Sequence, residues 1–138
     1  MSQEMRSPIE SGCPDGFQYM HPVMRKNYGQ WAYHEDPQPG VLVHVANSGE
    51  KIWTVRAGTQ RILDVYTLRE LCDIGDKYGD GYIHFTIRSN IEYQVADEAK
   101  VEPLIKALTD AGYIVGGTRN SVAMLSHTQG WLHCDIPG

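Results

Sequence analysis

A chain of 138 residues with 41% hydrophobic and 21% charged positions has the composition of one folded domain with extensions, which excludes disorder throughout. A net charge of −5 argues against a general nucleic-acid or anionic-membrane binder. There is no apolar run of roughly 18 residues to span a bilayer. The polar stretch from Met1 to Gln18 lacks a hydrophobic signal core, so a cytoplasmic protein is expected.

Five of the seven prolines (Pro8, Pro14, Pro22, Pro37 and Pro39) fall before Gly40, with few periodic apolar positions. Residues 1–39 therefore read as an extended arm. Its aromatic residues, from Tyr19 to Tyr33, predict packing against something, either the domain itself or a partner. Beyond Pro39-Gly40 the pattern sharpens. Val41 to Val45 and Lys51 to Ala57 read as two strands joined by a turn at Asn47-Ser48-Gly49-Glu50. Thr67 and Glu70 have capping-box spacing, and Leu68, Leu71, Cys72, Gly75 and Tyr78 follow at helical spacing, with Gly79 as the stop.

Tyr82 to Arg88 predicts a strand, Ser89-Asn90 a tight turn and Ile91 to Val95 its hairpin partner. Asp97 is placed to cap a second helix with Val101, Leu104, Ile105 and Leu108 on its apolar face. Pro103 implies a late start or one lost backbone bond. Gly112 ends that helix. A short strand at Tyr113 to Val115, a flexible link through Gly117 and a strand at Val122 to Thr128 complete the order β-β-α-β-β-α-β. The fold class is α+β, with a split βαβ, ferredoxin-like half-domain over 40–115. Residues 116–138 read as the start of a second α+β domain.

Side chains alternate along strands. Ile52, Thr54 and Arg56 share one face of their strand, and Tyr82, His84, Thr86 and Arg88 share one face of theirs. Two Thr-x-Arg ends in one sheet would bring two guanidinium groups together, and an anion between them relieves their repulsion. Spacing alone leaves the commoner outcome open, an arginine that is solvated or ion-paired at a strand end. In the tail, His127, Gln129, Trp131 and His133 would share a face. They suit the wall of a flat ligand, or a half-buried strand with satisfied histidines; two histidines alone are weak metal ligands. Cys13, Cys72 and Cys134 form no C-x-x-C pair and read as reduced thiols. There is no P-loop, no dinucleotide fingerprint, no nucleophile elbow and no paired catalytic carboxylates.

Several segments, in order, resemble one family. They are Asn27-Tyr28-Gly29-Gln30-Trp31 through Gly40-Val41-Leu42, Ile52 to Arg56, Leu68 to Ile74, Phe85 to Glu92, and the tail His127 to Cys134. Together they are similar to the N-terminal part of the beta subunit of dissimilatory sulfite reductase, from about Asn27 onward. The resemblance implies siroheme coupled to a 4Fe–4S cluster, and a six-electron interconversion of sulfite and sulfide. It also implies an alpha subunit, a second alpha–beta pair and a small sulfur-carrier protein as partners. Arg56 and Arg88 match its basic positions for tetrapyrrole carboxylates or sulfite, with Arg61 and Arg119 weaker candidates. His127, Gln129, Trp131 and His133 would lie against the tetrapyrrole or a neighbouring subunit. The family's cluster cysteines fall downstream of the matched region, so this chain alone is expected to be inactive, and its abrupt end reads as that of an N-terminal piece. The rival expectations are a stand-alone anion-binding module and a purely structural assembly module.

Overall fold

The computed structural model describes residues 15–60 and 62–118. Five strands form one antiparallel sheet: β1 (Trp31–Gln38), β2 (Val41–Ala46), β3 (Lys51–Gly58), β4 (Tyr82–Phe85) and β5 (Asn90–Val95), in the spatial order β1-β2-β3-β5-β4. Three helices accompany it: α1 (Pro22–Lys26), α2 (Val65–Tyr78) and α3 (Val101–Asp110). β5 is hydrogen-bonded between β3 and β4 and antiparallel to both. β3 and β4 therefore run the same way, joined through α2 and split by β5, which is the ferredoxin-like arrangement expected from the sequence.

Alternation assigns the two faces. On one, Trp53 lies between Val43 and Val95, Val55 between Val41 and Tyr93, and Ala57 beside Ile91. Leu71 and Ile74 of α2 and Val101, Leu104 and Leu108 of α3 close over this face and form the core with it. Gly75 of α2 allows the close approach: a Cβ there would stand 3.2 Å from the ring of Tyr93. The Tyr93 hydroxyl donates to the Leu71 carbonyl at 3.0 Å, so the buried phenol is satisfied.

Several boundaries differ from the sequence reading, each for a local reason. Trp31–Gln38, read as part of the arm, is an edge strand; an edge is where Pro37 can be accommodated without a ladder donor, and its pairing with β2 is interrupted by irregularities. α2 begins at Val65 because Asp64, not Thr67, is the cap: Asp64 Oδ1 accepts the Thr67 N–H at 2.8 Å. This interaction holds the exposed Asp64 carboxyl below its usual range. Glu70 instead accepts from the Tyr113 hydroxyl at 2.6 Å. Asp97 caps a 3-10 turn, Glu98–Lys100, ahead of α3. Pro103 then falls in the first helical turn, where its N–H would have had no intrahelical acceptor. Val115 makes a single bridge to Ala57 in place of a strand. The predicted strand at Val122 to Thr128 lies outside the described residues.

The arm is docked by polar contacts. His21 is buried; its Nδ1 accepts the Val23 N–H at 3.2 Å and its Nε2 meets Asp80 Oδ2 at 3.1 Å. Asn27 donates to Glu50 at 2.9 Å. The arm's Tyr19, Tyr28 and Tyr33 nevertheless remain exposed. Among the described residues no helix is long and apolar enough to cross a membrane.

Candidate functional site

The second face of the sheet carries buried polar groups, among them Thr54, Glu92 and Gln94. Opposed residues place Leu42, Thr54, Gln94 and Tyr82 in one row across the strands, and Arg56, Glu92 and His84 in the next. Arg56 is near the end of β3, and Arg88 lies just past the end of β4. Because those strands run the same way, both arginines reach the same end of the sheet, although two strand spacings, about 10 Å, separate their backbones.

Arg88 is not on a strand. β4 stops at Phe85, and the hairpin turns at Ile87-Arg88-Ser89, one step earlier than the sequence suggested. The turn is tied by Thr86 N–H to the Asn90 carbonyl at 2.8 Å and Ser89 N–H to the Thr86 carbonyl at 3.2 Å, with Ser89 at φ 60°. This releases Arg88 from the strand's alternation and lets its guanidinium fold back. Its Nη2 donates to the Gly117 carbonyl at 2.9 Å, and Arg56 Nη1 makes a longer contact of 3.5 Å to the same oxygen. The expected convergence of two guanidinium groups is therefore present, built from a strand and a turn rather than from two strands.

The expected bland outcome is also present for Arg56, because its Nε–H pairs with Glu92 Oε2. The Glu92 side chain is only 4% exposed, and its other oxygen lies 3.4 Å from His84 Nε2. Two guanidinium groups thus stand beside the Glu92 carboxylate at this end of the sheet. His44, farther along the same face, is held neutral: burial pushes its pKa down, Glu92 opposes this, and His34 and Arg56 add to the downward shift.

Gly117 belongs to a strap that is laced to the sheet. Gly116 N–H donates to the Arg56 carbonyl at 3.1 Å, and Gly58 N–H to the Ile114 carbonyl at 2.8 Å. Gly40 N–H donates to Thr118 Oγ1 at 3.1 Å. Gly40 has φ +82°, and a Cβ on it would sit 2.6 Å from the Gly116 nitrogen, so only glycine fits beneath the strap.

Beside the arginines, Asn90 is 1% exposed, and neither atom of its amide finds a partner among the described residues. Its cross-strand neighbour is Gly58, which leaves space rather than a side chain. Thr54 Oγ1 is likewise buried without a partner among the described residues. Such groups cost about 1–3 kcal/mol each when left unpaired.

Sequence reasoning named Arg56 and Arg88, which the fold brings together. Arg61, Arg119, His127, Gln129, Trp131 and His133 lie outside the described residues. It did not single out Glu92 or Asn90. The available signal was the strict alternation Ile91-Glu92-Tyr93-Gln94-Val95, which puts a carboxylate on the face that carries Arg56. Cys72 is exposed, and the described residues contain no group of three or more potential metal ligands.

The nitrite/sulfite reductase ferredoxin-like half domain, as a family, matches residues 44–111, which include Arg56, Arg88, Asn90 and Glu92. Three curated relatives carry the name sulfite reductase, dissimilatory-type subunit beta. The protein of Archaeoglobus fulgidus is 50% identical over 125 residues, 86% of this chain and 34% of the relative. That of Nitratidesulfovibrio vulgaris is 46% identical over 127 residues, 87% of this chain and 33% of the relative. The chain belongs to the dissimilatory-type sulfite reductase beta-subunit family. A further member, from Megalodesulfovibrio gigas, is 39% identical over 127 residues, 87% of this chain and 48% of the relative. The chain thus spans about a third to a half of the length of these beta subunits. The two arginines lie within the family's matched span, and the Gly117 strap lies just beyond it.

Proposed function

We propose that this chain is the ferredoxin-like portion of a dissimilatory sulfite reductase beta subunit and that its arginine end helps bind siroheme and sulfite for six-electron sulfite/sulfide interconversion. The observation that carries the reading is the meeting of Arg56 and Arg88 at one oxygen, beside the Asn90 amide, which has no partner among the described residues. A planar guanidinium fork suits a tetrapyrrole carboxylate or sulfite, and fixed donors stabilise negative charge without reorganising. The residues fit a siroheme carboxylate in charge and donor type: Arg56 and Arg88 would hold it, and Asn90 would supply a neutral hydrogen bond. When bound, siroheme supplies the iron centre at which sulfur is reduced or oxidised.

A 4Fe–4S cluster does not fit this chain. Four thiolates are the usual requirement, the sequence has three dispersed cysteines, and Cys72 lies on an exposed helix surface. The cluster would come from elsewhere in the enzyme, and the chain alone would be inactive. An alpha subunit, a second alpha–beta pair and a small sulfur-carrier protein would complete the cytoplasmic assembly. Contact with such partners is favoured by Ile87, 96% exposed at the hairpin tip, and by exposed Phe85, Ile62 and Ile114.

The test is Arg88→Ala in the full-length complex. Siroheme content or sulfite turnover is expected to fall roughly tenfold, the effect of one lost charge-assisted contact. Unchanged content and turnover would remove Arg88 from the site.

A further inference from the structure

We infer that Glu92 is a positioning residue: it clamps Arg56 through Nε–H and so turns the Nη edge of that guanidinium toward the point shared with Arg88. The inference rests on the reading of Arg56 and Arg88 as anion-binding groups.

A guanidinium offers more than one donor edge. In Arg56 the Nε edge is spent on Glu92 Oε2, and the Nη1 group that remains lies 3.5 Å from the Gly117 oxygen, which Arg88 Nη2 reaches at 2.9 Å. Glu92 has little freedom to turn. Its side chain is 4% exposed, its Oε1 lies 3.4 Å from His84 Nε2, and Arg56, Glu92 and His84 are cross-strand neighbours on three adjacent strands. An unclamped arginine at a strand end would spread its head over many rotamers, and an incoming anion would have to freeze them. The clamp freezes them beforehand.

The arrangement contains an opposition. The Glu92 oxygen helps an anion by ordering Arg56, while the Glu92 charge hinders it by cancelling part of the Arg56 field. Two substitutions separate these effects. Glu92→Gln keeps an acceptor at the same reach and removes the charge. Glu92→Asp keeps the charge and draws the acceptor back by one methylene.

The experiment uses the full chain, labelled with 15N, with sodium sulfite as the probe. The Arg56 Nε–H resonance is assigned by its absence in Arg56→Lys, and sulfite affinity is read from the arginine side-chain shifts. Thermal melts establish that each variant is folded. A protected Nε–H is expected in the parent chain and in Glu92→Gln, with sulfite bound at least as tightly by Glu92→Gln. Glu92→Asp is expected to lose the protected resonance and to bind sulfite about tenfold more weakly, as for one charge-assisted hydrogen bond. A Glu92→Asp variant that matches the parent in both resonance and affinity would overturn the clamp and leave the anion site standing. A parent chain whose arginine shifts ignore sulfite, with Arg88→Ala indistinguishable from it, would overturn the anion site and the positioning role together.

Discussion

Two neighbouring rows of the same sheet show the two kinds of burial in this molecule. Val41, Val55, Tyr93 and Ile83 meet across four strands beneath α2 and α3, and the one hydroxyl among them is satisfied by the Leu71 carbonyl. One residue along, Arg56, Glu92 and His84 meet on the opposite face. β5 runs through both rows, and all its residues from Asn90 to Val95 are buried. Along β5, burial thus fails to distinguish the faces, and hydrogen-bond satisfaction among the described residues succeeds. Among the described residues, the buried side-chain atoms without a partner, on Thr54 and Asn90, both lie on the polar face. An unpaired buried atom costs stability, so the proposed anion-binding role of this face is the reading these atoms favour.

The comparison breaks first at the core. Leu104→Ala removes a side chain with no exposure from between α3 and the sheet. It is expected to destabilise the fold by about 3 kcal/mol, a typical sum of transfer and cavity terms. Denaturant unfolding of the chain measures this. If the faces are independent, a chain still folded after the substitution keeps its affinity for sulfite.

A change on the other face should move stability the opposite way. Asn90→Leu exchanges a buried amide that has no partner among the described residues for an apolar group of similar size. The expectation is a gain of about 1 kcal/mol in stability together with a loss of sulfite affinity or siroheme content. A variant that is both less stable and unchanged in binding would mean that Asn90 is structural, and the contrast between the faces would fail.

Much of this organisation was legible in the sequence because it rests on alternation. Periodicity located β2, β3, β5 and both long helices, and it put Arg56 and the β4 polar residues on shared faces. What escaped was decided by contacts distant in sequence. β1 contains two prolines' worth of loop signal nearby, and only its pairing with β2 makes it a strand. Thr67 and Glu70 have capping-box spacing, yet Asp64 takes the cap and Tyr113 takes Glu70. Arg88 looked like a strand residue because Thr86-Ile87-Arg88 keeps the alternation. The turn is earlier because Asn90 pairs with Gly58 on β3, an interaction between residues that no local window contains. The partnership of Arg56 with Glu92 is a register fact of the same kind.

The smallest expected effect concerns pH, and it tests whether the polar face extends beyond the arginine row. His44 is a cross-strand neighbour of His34 and Ile52, and its imidazole is near Trp31 and His34. Burial lowers its pKa from the ordinary 6.5, Glu92 partly counteracts that, and His34 and Arg56 reinforce it. The folded state therefore binds this proton less readily than the unfolded state. The stability that follows is fully present above pH 6.5 and is lost as pH falls through the depressed folded value. His44→Gln keeps a polar group and removes the titration, so its unfolding midpoint should decline less than that of the parent between pH 7 and pH 5. Because the imidazole is only partly buried, the difference should be a small one, resolved by comparing the two pH profiles rather than two single midpoints. Parallel profiles would show that His44 keeps its unfolded-state pKa, so that the buried part of the polar face ends short of it.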